Sequence, residues 1–403
     1  MNSSQSSSRV TGSILMVAGC CIGAGMLGVP VISSLAGFIP STLMFVLSWL
    51  FMMTTGLLLL EVNLWFEEEV SIVSMVGLTL GKVGRILSWV LFGYLFYSLM
   101  IAYVAGSGLL LAGLADDVGL ILPNWVGSTA FTLLFSIFVF LGTGFVDWFN
   151  RLLMAGLIIS YVLLVSLGIR YVEPEFLLYQ DWSATLLVIP AMIISFGFHN
   201  LVPSLTTYME RDRKKLFWIF FLGSLLPLLI YLVWGGLIMG IVPISAFQSA
   251  MESGDLVTVA LKNTVNSPLV LLFAEHFAFF AIVSSFITVA LSFVDFLADG
   301  LHVKKDRKGR LFLTFLTLFP PFLCAMIYPG IFLVAISYAG VFGALILFGI
   351  FPALMVWRGR YFMKIDARKI VPGGRVTLSL IIVFAVLVIF VNIALDLHLL
   401  ELN

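Results

Sequence analysis

A chain of 403 residues that is 61% hydrophobic, 10% charged and without net charge lies far from the roughly one-quarter charged composition of soluble domains. The surplus apolar surface has no place except lipid, which excludes a large soluble domain or a basic nucleic-acid-binding one and points to an all-α polytopic membrane protein. The three cysteines, Cys20, Cys21 and Cys324, sit in apolar segments and suggest no disulfide framework.

Residues 1–10 read as a short polar tail without the pattern of a signal peptide. Eleven stretches are then long and apolar enough to cross a bilayer, at 11–36, 40–65, 85–114, 124–146, 149–169, 184–209, 216–242, 267–298, 311–328, 331–357 and 376–397. With the N-terminus cytoplasmic, all but two of the 21 Lys and Arg residues fall on the cytoplasmic side; only Arg170 and Lys262 fall outside. That asymmetry satisfies the positive-inside rule and leaves the C-terminus on the far face.

The first span contains "VAGCCIGAGMLGVPV", Val17 to Val31, and the sixth contains "SFGFHNLVPSLTTYM", Ser195 to Met209. Glycine and proline disfavour helix by roughly 1 and 3 kcal/mol, so both spans are expected to break. Five spans separate the breaks. An odd offset reverses direction across the bilayer, so 11–170 and 184–357 read as inverted repeats and 376–397 as an added span.

Non-helical backbone survives at membrane depth only beside protein or a water-lined cavity. A break frees amides at the start of one helical half and carbonyls at the end of the other, which suit a carboxylate and a cation or ammonium. A zwitterionic amino acid presents both charges. Ala24 and Gly25 are the candidate amides for its carboxylate. The carbonyls of Ser195 and Phe196, with Gly197 allowing the second unwound turn, are the candidates for its ammonium. Tyr103 and Phe198 are candidates to flank a ring, against a background of 37 phenylalanines and 11 tyrosines that mostly face lipid or core. His199 beside Asn200 either bonds a ring substituent, relays a proton or simply satisfies freed backbone groups.

Elsewhere the bland readings win. Glu61 and Asp295 near span ends read as caps or partners of loop arginines, Glu275 and His276 as groups reaching for the outer surface, and 67–69 as a solvated face.

The segments "GCCIGAGMLGVP" (Gly19 to Pro30), "LLLLEV" (Leu57 to Val62), "AYVAGSG" (Ala102 to Gly108), "SFGFHNLVPSL" (Ser195 to Leu205), "DFLAD" (Asp295 to Asp299), "FPP" (Phe319 to Pro321), "YAG" (Tyr338 to Gly340) and "GGR" (Gly373 to Arg375) occur in this order along nearly the whole chain. In them the sequence resembles the hydroxy/aromatic amino acid permeases. The resemblance implies a LeuT-like 5+5 inverted repeat with discontinuous helices 1 and 6 in a bacterial inner membrane, the C-terminus being periplasmic. It also implies import of an aromatic amino acid, tyrosine first, with tryptophan, phenylalanine or a broader neutral set as alternatives.

A finer similarity to LeuT-type sodium symporters, in "AGCCIGAG" and "FFAIVSS", implies a cation held by the carbonyls of Gly19, Ile22 and Ala281 and the hydroxyls of Ser284 and Ser285. Both Na+ and H+ remain candidates for the coupling ion, and no other cofactor is expected. No P-loop, catalytic triad or metal-ligand cluster appears, so neither nucleotide, nucleic acid nor enzymatic chemistry is expected. The expected partners are a small amino acid and the lipid bilayer. A passive channel or a transporter-like sensor is the rival; the filter loop or charged rings of a pore are missing from the sequence.

Overall fold

The computed structural model describes residues 3–68, 70–117, 119–397 and 399, and every regular element among them is helical. Ten helices are long and apolar enough to cross a membrane, and a bent pair supplies the eleventh span. Eleven spans were expected.

The bent pair is α1 (Ser3–Cys21) and α2 (Gly25–Ser33), which meet at 55°. Helix α1 begins at Ser3, so most of the expected tail is already helical. The second to fifth spans are α3 (Phe38–Asn63), α4 (Ile72–Asp117), α5 (Asn124–Leu141) and α6 (Thr143–Gly168). The sixth span is α7 (Thr185–Ile194), a single 3-10 turn at Phe198–Leu201, and α8 (Val202–Tyr208). Helix α9 (Arg213–Ile241) follows, then two short helices, α10 (Ile244–Ser253) and α11 (Val257–Lys262), which the sequence reading treated as plain loop. The eighth and ninth spans are α12 (Pro268–Leu301) and α13 (Arg307–Ile327). The tenth joins α14 (Phe332–Tyr338), a π-helical stretch over Ala339–Ile350 and α15 (Phe351–Tyr361); α16 (Gly374–Asp396) is the last.

Several boundaries move, two of them at glycines. The fourth span stops at Leu141, five residues before the expected end at 146, because Gly142 takes φ 84°, a left-handed value that glycine adopts at little cost. Helix α4 starts before residue 85, with Gly81 at φ 85° marking its internal break.

Two of the prolines inside these helices free carbonyls that distant aromatic donors then satisfy. Pro30 has no N–H for the carbonyl of Met26, one turn earlier. The Trp234 indole donates to that oxygen at 2.7 Å. Pro320 likewise releases the Leu316 carbonyl, and the Tyr97 hydroxyl donates to it at 2.9 Å. Tyr97→Phe is expected to lower the unfolding free energy by about 1–2 kcal/mol, since it orphans one shielded acceptor. Thermal unfolding in detergent measures this, and an unchanged midpoint would show that the kink tolerates a bare carbonyl.

One end of the bundle gathers the basic loops. Arg9 reaches Glu210 at 3.4 Å and lies 5.4 Å from the Tyr208 ring centroid. The Arg211 guanidinium donates to the carbonyls of Phe66, Glu67 and Glu68, tying the loop after α3 to the start of α9. Asp212 caps α9 by accepting from the amides of Lys214 and Lys215, each at 3.1 Å, and the Lys215 amide holds its carboxyl below the usual range. Asp295 pairs with Lys305 at 2.8 Å. Glu61 is the deepest of these acids. Arg360 grips it with two hydrogen bonds of 2.7 and 2.6 Å, and the two side chains are only 3% and 5% exposed. The expected pairings of Glu61 and Asp295 near span ends are present; Asp295 takes a lysine. His276, near the opposite end, is exposed, while the backbone carbonyls of Glu67 and Glu68 are occupied by Arg211 and Glu69 lies outside the described residues.

Candidate substrate and cation site

Both expected breaks exist, and they face each other. Residues 22–24 are not helical, and the normal ladder fails there. The Ala24 amide turns to the Ser285 hydroxyl of α12 at 3.0 Å, while the amides of Gly23 and Gly25 find no acceptor among the described residues. The Cys21 carbonyl, deprived of a helical donor, receives the Tyr231 hydroxyl of α9 at 3.2 Å. Across the gap, the Cys20 thiol donates to the Gly197 carbonyl at 3.8 Å. A Cβ on Gly25 would lie 3.4 Å from Ser195 Oγ and 3.5 Å from the Tyr231 oxygen, so both breaks and α9 converge on that glycine.

Gly23 is the stricter position. A Cβ there would stand 2.4 Å from Ser285 Oγ, so any side chain pushes that hydroxyl off the Ala24 amide. Keeping the bond between Ser285 and the Ala24 amide therefore favours glycine at 23, whereas Gly25 leaves room for a methyl group.

The predicted residues fare unequally. Ala24 lies at the break, but its amide is already bonded; Gly23, not singled out by the sequence, has the free one. Gly25 is where it was expected. The Ser195 hydroxyl donates to its own helix at the Ala191 carbonyl, 2.8 Å away, and the Phe196 carbonyl accepts the Phe198 amide at 2.9 Å, so that second carbonyl is engaged in this conformation. Gly197 has φ −76°, an ordinary value, so its role is to avoid the Ile194 carbonyl, 3.1 Å from where a Cβ would be.

Tyr103 is buried on α4. Phe198 stacks on Phe220 at 5.6 Å. His199 is 0% exposed, stacked 4.7 Å from Phe348, with Nε2 3.0 Å from the Thr55 hydroxyl and Nδ1 unpartnered. Both rings thus serve the packing of the second break on α3, α9 and the π-helical stretch. Asn200 and Cys20 are exposed.

Of the implied cation shell, Ala281 and Ser284 are buried on α12, and the Ser284 hydroxyl donates to the Ala281 carbonyl at 3.3 Å. Ser285 binds the break directly. Gly19 and Ile22 are half-buried at the end of α1 and in the break, with Gly19 beside Met154 of α6.

The sequence reading missed Tyr231 and Trp234. They are 1% exposed, three residues apart on one face of α9, and their donors are aimed at carbonyls that the break and Pro30 set free. The available signal was the proline itself, since each proline inside a membrane helix demands a foreign donor for the carbonyl four residues earlier.

A helical membrane bundle in which two interrupted spans meet, one of them with open backbone amides, has the features of a solute carrier. Comparison with known proteins makes this specific. The profile of the tryptophan/tyrosine permease family matches residues 6–392, and the chain belongs to that family. It is 31% identical to the tryptophan-specific transport protein of Haemophilus influenzae over 98% of this chain and 97% of that protein. It is 29% identical to tyrosine-specific transport system 1 of the same organism, over 94% and 95% of the two chains, and 28% identical to the low affinity tryptophan permease of Escherichia coli K12, over 93% of each. The protein is therefore a multi-pass membrane transporter of the aromatic amino acid permeases rather than an enzyme.

Proposed function

We propose that the chain is a secondary active symporter that imports tyrosine or tryptophan with a cation by alternating access. The observation that carries this is the pair of open amides at Gly23 and Gly25, set opposite the second break. The substrate carboxylate takes those amides at the start of α2, where the helix end adds a favourable field. The ammonium lies toward the carbonyl end of α1 and α7, and Tyr103 flanks the ring. The five-plus-five inverted repeat, with the basic end cytoplasmic and the protein in the bacterial inner membrane, completes the reading.

In this reading the structure is inward-facing. Away from the basic end, Gly28 of α2 is packed against Phe332, Leu333 and Ile336 of α14, each 3.2 Å from where a Cβ would be. Toward the basic end, Cys20 and Asn200 are exposed beside the break.

The sequence-based preference for tyrosine has no counterpart in the relatives, whose names divide between the two amino acids. Uptake of radiolabelled tyrosine and tryptophan into liposomes carrying the purified protein, under an imposed sodium or proton gradient, tests the proposal. Accumulation above equilibrium is expected with one of the two gradients. Failure with both overturns symport. Where sodium drives uptake, Ser284→Ala with Ser285→Ala is expected to weaken the sodium dependence at least about tenfold, because two oxygen ligands of a hard cation are lost. Unchanged dependence would place the cation elsewhere.

A further inference from the structure

Helix α9 bears no break, yet it touches the first break at its two weakest points. The Cys21 carbonyl loses its intrahelical donor because the chain turns before Gly25, and Tyr231 replaces that donor at 3.2 Å. The Met26 carbonyl loses its donor to Pro30, and Trp234 replaces it at 2.7 Å. The two acceptors bracket the segment 22–25 that presents the open amides.

Each donor is locked in turn. The Tyr231 ring stacks on Phe45 with centroids 5.5 Å apart, and Trp234 packs against Phe277 of α12 at 5.0 Å. The Tyr231 hydroxyl also stands beside the position where Gly25, at the start of α2, meets Ser195, at the end of α7. It thus holds the end of α1 while adjoining both halves of the gap.

We propose that Tyr231 is a positioning residue for substrate: by holding the Cys21 carbonyl it fixes the direction in which the Gly23 and Gly25 amides point. Trp234 fixes the other side of the same turn. The inference rests on the carboxylate-binding reading given above. Tyr231 itself stays bonded to the backbone throughout and does not bind the ligand. Its removal lets the turn rock, so the amides no longer converge on one anion.

The consequence is selective. Ligands with a carboxylate lose affinity, and ligands without one do not. The test compares Tyr231→Phe with the parent protein in liposomes or detergent, using tyrosine and tryptophan against tyrosinamide and tryptophanamide in a competition assay. In the parent, the acids bind better than the amides. In Tyr231→Phe, that preference is expected to shrink about tenfold, the size of one modest hydrogen-bond contribution. The half-saturating concentration for uptake rises while the maximal rate holds.

A purely structural role gives a different result: the melting temperature falls and the acid-over-amide ratio stays as in the parent. That outcome overturns the proposal and leaves the carboxylate site standing. A parent protein with no preference for acids over amides sinks the carboxylate site and this inference with it. Trp234→Phe supplies an independent variant should Tyr231→Phe fold poorly. It is expected to move the ratio in the same direction, and an unaltered ratio there overturns the proposal in the same way.

Discussion

Arg360→Ala is expected to destabilise the protein by about 3–5 kcal/mol, because it strands the Glu61 carboxylate out of water. The two residues form a forked pair, with Nε and Nη2 of the guanidinium on separate carboxylate oxygens at 2.7 and 2.6 Å. The Ile370 amide donates a third bond to Glu61, and the Arg360 Nη2 donates also to the Val371 carbonyl. Every strong group in the cluster is therefore matched, and removing one partner leaves the rest exposed to an apolar surround. Glu61→Gln is the gentler variant, since it keeps shape and one acceptor oxygen. Replacing both residues by leucine is expected to recover only part of the loss, because the Ile370 amide and Val371 carbonyl then lack partners. Thermal unfolding in detergent, followed by tryptophan fluorescence, checks the ranking. A melting temperature for Arg360→Ala equal to that of the parent would show that water reaches Glu61 after all.

Gly23→Val is expected to reduce substrate affinity about tenfold, while the protein still inserts and folds. The side chain either collides with Ser285 or turns that hydroxyl away, and then the Ala24 amide loses its 3.0 Å acceptor. Either outcome costs about 1–3 kcal/mol and moves the backbone that carries the open amides, so an affinity loss of about tenfold, or about 1.4 kcal/mol, is expected. Gly25→Ala serves as the contrast, because its methyl group meets only ordinary contacts at 3.4 and 3.5 Å. Equilibrium binding of labelled tyrosine and tryptophan to both variants is the measurement. Equal affinity in Gly23→Val and the parent would mean that the first break serves helix packing alone.

The span count and both breaks were legible in the sequence because each depends on local chemistry. Long apolar runs need lipid, and glycine with proline inside such runs prevents a continuous helix. Glu61 was legible for a similar reason, as an acid near a span end with basic loops close by. The donors on α9 were harder to see. Tyr231 and Cys21 lie 210 positions apart, and nothing in the local pattern of α9 marks it as a neighbour of the first span. The amide that stays open at Gly23 was equally hidden, because only the approach of Ser285 decides which of three successive amides is used up.

His199 shows the opposite limit. A histidine inside a membrane break invites a role with ligand or proton, yet the fold closes it between Phe198 and Phe348 and gives one ring nitrogen to Thr55. The end of α5 was misjudged for a simpler reason. Apolar residues continue past Gly142, and composition does not report a backbone angle. The pair α10 and α11 escaped notice because neither is long enough to span a bilayer, so a search for spans passes over both.

The forked pair at Glu61 bears also on the last helix. Ile370 and Val371 belong to the link into α16, and both reach the pair through their peptide groups. The link into the eleventh helix is consequently no passenger. A chain shortened to end at Tyr361 would keep both ionic side chains and lose two of the groups that satisfy them, so the appended segment is part of what lets a charge reside in the interior.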